Sequence, residues 1–354
     1  PPIRDYQFLY HELLPAIDTV QRLGYTDFDA DFLDSLIEGW ATHCEEVWLP
    51  INQLGDSEGL KFEDGKITMP QEFKDAYRQG IDEGWLSTTC EPEHGGMGVP
   101  LFFQAVTWAE FGTSACMALS VLPALSIGVY EVLVKHGRQD LIDYFATNLA
   151  SGEWSGTMCL TEPHAGTDLG IIETKAIPQD DGTYRLSGSK CFITYGEHDM
   201  AENIVHLVLA KASGGPEGTR GISLFLVPKF LSEDWQSGGL EGISHSLASE
   251  HNGVTCSGTE EKMGLHASPT CVMNLDDSVG WLVGPLHGGM PLMFEMMNRE
   301  RLATGLMGVG LAHAAYVNSL AWARERRQGR SLRGVQDPHA AADNILVHPD
   351  VRRM

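Results

Sequence analysis

A short segment from Met158 to Gly170, MCLTEPHAGTDLG, places two threonines, two carboxylates and two glycines directly after an apolar stretch. Hydroxyl groups and backbone N–H groups are neutral donors, and a cluster of such donors can hold a pyrophosphate. A capped turn between two domains uses the same residue types. The segment therefore indicates a binding loop for a polar ligand, with a plain turn as the alternative interpretation.

The overall charge of the chain favours a neutral binding loop. Among its 354 residues, 24 Lys and Arg stand against 48 Asp and Glu, which gives a formal net charge of −24. A strongly acidic surface repels polyanions, so this balance argues against a nucleic-acid partner and against an anionic membrane surface. An anionic ligand must therefore be bound by a few local arginines and lysines or by N–H groups.

The seven cysteines are scattered and odd in number, and no two of them form a C-x-x-C pair. This distribution is typical of reduced thiols and predicts a cytoplasmic protein. Cys90 and His94 have the residue types of zinc ligands, but no second pair stands at zinc spacing, so no metal site is predicted. The sequence shows no signal peptide and no run of about 18 apolar residues, which predicts no membrane insertion.

The spacing of apolar residues divides the chain into four regions. Steps of three and four residues predict helices in an N-terminal extension, residues 1–35, and in a helical domain, residues 36–155. Short apolar runs between turn residues, such as NIVHLVLAKA and GISLFLVPKF, predict a β domain over residues 156–285. Over residues 286–354 the helical period returns and predicts a helix of about 36 residues, roughly 54 Å long. Such an apolar helix needs other long helices beside it, so this bundle is expected to be incomplete at Met354.

The order of these regions, with the Thr-rich segment at the first domain junction, resembles the acyl-CoA dehydrogenase family of flavoproteins. The family's T-E-P-x-A-G-S-D motif is matched, with Thr167 in place of the serine, by Thr161, Glu162, Pro163, Ala165, Gly166 and Asp168. The resemblance implies an α+β fold with an N-terminal helical domain, a central β-barrel-like domain and a C-terminal bundle of long helices.

The same resemblance implies FAD as the cofactor and gives the loop residues roles. Met158, Leu160 and Thr161 match residues that contact the isoalloxazine ring. Gly166 and Thr167 match residues that offer an amide and a hydroxyl group to the FAD pyrophosphate or to the acyl-CoA substrate. The binding loop is therefore expected to serve both ligands.

Further motifs extend the resemblance. CFITYG is similar to the family's W-I-T-N, so Phe192 replaces the ring-shielding aromatic residue, Ile193 follows as a cofactor contact, and Thr194 bonds the N5 side of the flavin. Taken alone, this stretch is an ordinary strand. On the long helix, Arg301 matches an arginine near the CoA side of the substrate, and Arg326 matches one that reaches the FAD of a neighbouring subunit.

The motif EEKMGLHASPTC is similar to the family's K-x-G-x-x-x-S-x-T and carries His266 where an arginine is common. A plain strand start explains this stretch equally well. The glycines of GLMGVGLAH fall inside helical periodicity with no strand before them, so they indicate close helix packing and no nucleotide loop.

The implied reaction is α,β-dehydrogenation of an acyl-CoA to a trans-2-enoyl-CoA, with an electron-transfer flavoprotein as acceptor and a homodimer or tetramer as the assembly. The N-terminal segment IRDYQFLYHELL occurs in a long branch of the family that includes enzymes for 3-(methylthio)propanoyl-CoA and for fatty acyl-CoA. Two alternatives share the fold: a flavin oxidase or monooxygenase, and a non-catalytic flavoprotein associated with DNA. The acidic charge argues against the second.

The catalytic base has two possible positions. In most of the family it is a glutamate in an E-G-T segment near the C-terminus, which would lie beyond Met354. In a minority it lies immediately before the arginine matched by Arg301, and that position is Glu300. Alternatively, Glu300 is a surface carboxylate that pairs with a helical neighbour such as Arg324.

Overall fold

In this computed structural model, the structure describes residues 1–232 and 250–354, with the backbone alone for residues 104–108. The first part of the chain is helical, and its helices are α1 (Ile3–Phe8), α2 (Ala16–Arg22), α3 (Ala30–His43), α4 (Leu49–Glu58), α5 (Gln71–Asp82), α6 (Leu101–His136) and α7 (Gln139–Ser151). A π-helical turn, Cys44–Trp48, joins α3 to α4 without a break.

Helix α3 shows why the sequence folds locally as a helix. The carboxylate of Asp29 accepts the N–H of Phe32 at 2.8 Å and satisfies one of the free donors at the helix start. Leu33, Ile37 and Trp40 then recur on one face, and each is at most 2% exposed. The helix predicted from this spacing is confirmed, and the π-helical turn carries it on to Glu58.

A small hairpin interrupts the helical domain, and the sequence analysis did not predict it. Strands β1 (Lys61–Glu63) and β2 (Lys66–Thr68) are joined by Asp64 and Gly65, which both have positive φ. An Asp-Gly pair with positive φ at both positions is the preferred two-residue hairpin turn. The strands have only three residues each, so their alternation is too short to stand out from the helical pattern around them.

Helix α6 is the central helix of the fold, and it is not regular. Cys116 has φ −151° and ψ 91°, outside the helical region, and Pro123 lies further along. Proline removes one helical hydrogen bond and clashes with the preceding turn, which favours a kink. Its segment Ala109–His136 is long and apolar enough to cross a membrane, although 72% of its most apolar window is buried inside the protein, as expected of a core helix.

The second part of the chain is a closed β-barrel with two added strands. Its strands are β3 (Trp154–Cys159), β4 (Lys175–Pro178), β5 (Tyr184–Thr194), β6 (Asn203–Ala212), β7 (Ile222–Pro228), β10 (Val254–Thr259) and β11 (Thr270–Val283), and a separate pair is β8 (Phe230–Leu231) and β9 (Glu250–His251). Each neighbouring pair in the series β11, β5, β4, β6, β7 and back to β11 is hydrogen-bonded, so the five strands form a ring.

The two added strands extend the barrel at different places. Strand β3 runs parallel to the first part of β6, and β10 pairs with β11. Nine of the ten residues of β6 are buried, as expected of a strand with apolar residues on both faces. The outer strand β3 presses against α6, where a Cβ at Gly156 would lie 2.7 Å from Val129. This contact brings the loop after β3 next to the helical domain.

The third part consists of the long helix α8 (Gly289–Glu325), a folded segment over residues 326–348, and α9 (Pro349–Arg353). The 37 residues of α8 confirm the predicted long helix. Its first half packs against α6, where Met296 contacts Gly128. Its second half carries exposed large apolar side chains on more than one side of the helix: Val309, Leu311, Tyr316, Val317 and Trp322.

Candidate functional site

The loop that follows β3 is fixed by a buried carboxylate. Both oxygens of Glu162 are used: they accept the N–H groups of Glu173 (2.6 Å) and Thr174 (3.1 Å), the Thr174 hydroxyl group (2.6 Å) and the ammonium group of Lys190 (2.8 Å). Burial raises the pKa of Glu162, but the charge of Lys190 and these hydrogen bonds outweigh it and hold the pKa below its usual range. The carboxylate therefore ties the start of the loop to its end.

Between those two ends, the loop carries donors without a partner. Glu162 and Ala165 exchange backbone hydrogen bonds, and the Asp168 carboxylate accepts the N–H of Gly170 at 2.9 Å. Within residues 1–232 and 250–354, no partner is found for the N–H of Gly166 or for the N–H and hydroxyl groups of Thr167. A Cβ at Gly166 would meet no protein atom within 4 Å. The glycine thus leaves open space where a ligand can approach the backbone.

The second motif lies directly beside this loop. The N–H of Cys191 donates to the carbonyl oxygen of Thr161 at 2.9 Å, which joins the end of β5 to the end of β3. Phe192 has φ 61° and is 61% exposed. A left-handed conformation costs a non-glycine residue roughly 1 to 3 kcal/mol, and such strain is common at ligand sites. Thr194, two residues on, is half-buried.

Two of the predicted cofactor contacts, Ile193 and Leu160, have buried side chains. Ile193 is only 2% exposed and its side chain belongs to the barrel core, so it can reach a ligand through its main chain alone. Leu160 is 8% exposed, and Met158 is half-buried against the core between β3 and α6. The hydrogen bond between Cys191 and Thr161 thus places the stretch Phe192–Thr194 next to the start of the loop that carries Gly166 and Thr167.

Glu300 lies on the face of α8 that packs against α6. It lines a cavity of about 90 Å³ whose walls are mainly apolar, including Ala124, Ile127 and Met307. Its Oε1 is buried and has no hydrogen-bond partner among the described residues. Burial raises its pKa, and the nearby Arg299 opposes this only in part. The alternative of a surface carboxylate paired with a helical neighbour is wrong, because the carboxyl group points into the protein.

The two arginines of α8 are exposed. Arg301 stacks its guanidinium group 5.1 Å from the centre of the Phe294 ring and donates to Asn298 at 3.1 Å. Arg326 follows the last turn of the helix, lies 5.9 Å from the Trp322 ring and donates to Gln328. No ion pair is found for either arginine within the described part of the chain. Both charges are therefore free to meet an anionic ligand or another subunit.

One residue of the site was missed from the sequence. Lys190 is fully buried and donates to the Leu160 carbonyl oxygen at 3.0 Å as well as to Glu162. A signal was present, because Lys190 and Leu186 occupy inward positions of the same alternating strand. A lysine at a core position requires a buried acceptor, and the carboxylate in the T-E-P motif was available.

Cys90 and His94 do not form a metal site with other side chains. Cys90 is buried, and the Nδ1 atom of His94 is 2.8 Å from the hydroxyl oxygen of Tyr130. Across the described ranges, no group of three or more His, Cys, Asp or Glu side chains is placed to hold a metal ion. All seven cysteines are free and buried.

Comparison with known families matches three consecutive parts of the chain between residues 60 and 341. The N-terminal domain of acyl-CoA dehydrogenase matches residues 60–153, the middle domain residues 157–278 and the C-terminal domain residues 287–341. The chain belongs to the acyl-CoA dehydrogenase family. This confirms the resemblance inferred from the T-E-P motif, and the α+β fold is confirmed with it.

Individual acyl-CoA dehydrogenases extend the comparison. The chain is 42% identical over 356 residues to 3-methylmercaptopropionyl-CoA dehydrogenase from Ruegeria pomeroyi, and it covers 58% of that protein's length. It is 35% identical over 366 residues to a butyryl-CoA dehydrogenase from Syntrophomonas wolfei and covers 57% of it. In both alignments nearly all of this chain is matched, at 100% and 99%.

A solved structure shows the same architecture. The acyl-CoA dehydrogenase from Bacillus anthracis, determined in complex with FAD, superposes with a TM-score of 0.67 at 24% identity. The match covers 86% of this chain and 46% of that chain. At this level of identity the likeness establishes the fold, and the roles of individual residues rest on their geometry.

Proposed function

We propose that the protein catalyses FAD-dependent α,β-dehydrogenation of an acyl-CoA thioester to a trans-2-enoyl-CoA. The observation that supports this proposal is the set of Gly166 and Thr167 donors without a partner among the described residues, on a loop whose start is hydrogen-bonded to the end of β5. Neutral donors at a fixed position suit the pyrophosphate of a dinucleotide in a protein with a net charge of −24. The membership of the family supports the same reaction.

The residues present fit FAD. Thr161, Thr194 and the edge of Met158 would border the isoalloxazine ring, Phe192 would cover it from the exposed side, and Gly166 and Thr167 would bind the pyrophosphate. When bound, FAD accepts the hydride that leaves the β-carbon of the acyl group. The protein orients the two reactants and keeps water away from them.

The α-proton of the thioester must be taken by a carboxylate, and two candidates exist. Glu300 has a raised pKa in a mostly apolar cavity between α6 and α8, which makes it a stronger base than an ordinary glutamate. The other candidate is an acid beyond Met354 in a longer protein. Arg301, next to Glu300, is proposed to meet the charged CoA part of the substrate.

The kinetics of flavin reduction in a Glu300→Gln variant decide between the two bases. A fall of about 10⁴ or more in the rate of flavin reduction, with substrate binding intact, assigns proton removal to Glu300. A change of less than about tenfold assigns it to an acid beyond Met354. Glu295→Gln is the matched control, because Glu295 lies on the same helix but is exposed and paired with Lys135 and His136.

The assembly and location remain predictions. Arg326 has no ion-pair partner among the described residues, and the second half of α8 exposes large apolar side chains. Both features support a homodimer or tetramer in which Arg326 reaches a neighbouring FAD. Electron-transfer flavoprotein is proposed as the acceptor of the electrons. The free, buried thiols suit a reducing compartment, so we propose a cytoplasmic location.

Anaerobic mixing of the purified full-length protein with a panel of acyl-CoAs tests the reaction. The panel includes 3-methylmercaptopropionyl-CoA and butyryl-CoA, and bleaching of the oxidised flavin is the expected result. Rapid reoxidation by air would instead favour a flavin oxidase or monooxygenase. A protein that binds no FAD on reconstitution contradicts the proposal, and a flavoprotein that no acyl-CoA reduces favours a non-catalytic role.

A further inference from the structure

The buried pair of Glu162 and Lys190 has an unusual set of contacts. The side chain of Lys190 is 0% exposed and that of Glu162 is 2% exposed, and their charged atoms lie 2.8 Å apart. Beyond each other, the two groups bind main-chain atoms of Leu160, Glu173 and Thr174. These three positions lie just before the Thr161–Thr167 segment and just after the loop that contains it.

Stability alone is a weak reason for such a pair. Moving two charges out of water costs several kcal/mol per ion in general, and well-packed apolar residues often replace a buried ion pair without loss of stability. What an apolar pair cannot do is hold a carbonyl oxygen and two N–H groups at fixed positions. The contacts of Glu162 and Lys190 therefore point to a role in positioning the main chain.

We propose that Glu162 and Lys190 form a positioning pair that fixes the FAD-binding loop, an inference that rests on the proposed function. Lys190 holds the Leu160 carbonyl oxygen at the end of β3, and Glu162 holds the returning chain at Glu173 and Thr174. The donors of Gly166 and Thr167 lie between these two points. The loop is thus ordered before any ligand arrives, and binding does not have to order it.

The barrel region offers a matched control pair. Lys229 donates to Glu197 at 2.5 Å, and the two side chains are 12% and 5% exposed. Lys229 follows β7 and Glu197 follows β5, and neither contacts the loop between Thr161 and Thr174. A general loss of stability from a broken buried ion pair should appear in both pairs, whereas a defect in cofactor positioning should appear in one.

The experiment compares Lys190→Met with Lys229→Met in the full-length protein. Apoprotein affinity for FAD is measured from the change in flavin fluorescence, and the setting of the ring from the visible circular dichroism of bound flavin. We expect Lys190→Met to bind FAD at least about tenfold more weakly and to change the visible spectrum, because lost bonds to a charged group free the loop. Lys229→Met should leave both readouts within about twofold of the parent protein.

A milder variant keeps the test decisive if Lys190→Met does not fold. Thr174→Val removes the hydroxyl donor to Glu162 and preserves the shape of the side chain. It should weaken FAD binding about threefold or more and alter the visible spectrum in the same direction. Unchanged affinity and spectrum in a folded variant, or equal effects of Lys190→Met and Lys229→Met, overturn the positioning role. If the parent protein itself takes up no FAD, the proposed function fails instead.

Discussion

Among the single residues, Glu300 and His266 are titratable groups whose surroundings favour opposite charge states. The surroundings of Glu300 favour its neutral form, and those of His266 favour its charged form. Glu300 is placed in a largely apolar cavity with one oxygen unpaired, so its environment favours the neutral form. His266 has both ring nitrogens near carbonyl oxygens, at 2.7 Å from Asp56 and 2.9 Å from Lys262. Carbonyl oxygens only accept, so this arrangement favours the charged ring, in which both nitrogens donate.

The raised pKa of Glu300 gives a prediction about stability and pH. A carboxyl group whose pKa is higher in the folded protein destabilises it as the pH rises from the unfolded pKa, about 4.3, through the folded pKa. Glu300→Gln removes that cost, so we expect its melting temperature to exceed that of the parent by more at pH 8 than at pH 5. Thermal unfolding at the two pH values measures this, with Glu295→Gln as control. An equal difference at both pH values would contradict the burial of Glu300.

The pKa of His266 is raised by the hydrogen bonds to the carbonyl oxygens of Asp56 and Lys262, so the folded protein favours the charged ring and a substitution should matter most at low pH. Its contribution to stability is present below the unfolded pKa of about 6.5 and is lost as the pH rises through the folded pKa. His266→Gln should therefore lower the melting temperature at pH 6 and have little effect at pH 9. His339→Gln, on an exposed histidine, serves as the control. A loss that is the same at both pH values would show that the ring is neutral.

At the scale of elements, the segment between α8 and α9 is held around one carboxylate. Asp343 is 0% exposed and accepts N–H groups from Ser331, Gln336 and Asp337, together with a contact from Arg330. The backbone N–H groups of Ser331 and Asp337 contribute most to lowering its pKa to about 2. An ionised carboxylate is therefore needed to keep the segment folded.

This arrangement predicts selective opening of the 326–348 segment. Asp343→Asn replaces an acceptor with a group that repels one of these N–H donors, so we expect tryptic cleavage after Arg330 and Arg333 to become about fivefold faster or more. Asp350→Asn, at an exposed ion pair with Arg353, should leave the cleavage rate unchanged. In the parent protein the segment should open only in acid, as the pH falls from about 3.9 towards the folded pKa of Asp343. Equal cleavage rates in all three proteins would rule out this role.

The elements also show what the sequence can and cannot specify. The long helix α8 and the doubly covered strand β6 were predictable, because a long periodic pattern has few alternative folds. The break at Cys116 in α6 was not, since the residue itself has no special backbone preference and the deviation depends on what packs around it. The Thr-rich loop was recognised by its residue types, but its anchor, Lys190, became visible only when β5 was placed beside it. The cavity around Glu300 could not be predicted either, because its walls come from both α6 and α8.

In the molecule as a whole, the second half of α8 exposes several large apolar side chains to solvent. Tyr316 and Trp322 are 60% and 61% exposed, and Val309 and Val317 lie on the same helix at about half exposure. A concentration of exposed large apolar side chains on one helix favours an interface there. The first half of the same helix is packed against α6. The exposed apolar side chains are therefore concentrated in its second half.

We predict that the 354-residue chain self-associates through the exposed apolar side chains on the second half of α8. Sedimentation should give a mass that rises with protein concentration, and Trp322→Glu should lower that mass because it places a charge in the contact. Glu325→Gln, one turn away and already polar, is the matched control. If the parent and both variants were monomers at all concentrations, the exposed apolar side chains on α8 would not mediate association.

The closed ring of strands has a consequence for the order of synthesis. Strand β5 ends at Thr194, but the ring is completed only by β11, which begins at Thr270 and pairs with both β5 and β7. Bringing such distant segments together carries a loop-closure cost that must be met before the pairing is rewarded. A chain still growing on the ribosome therefore lacks the frame for its cofactor loop until Val283 has emerged.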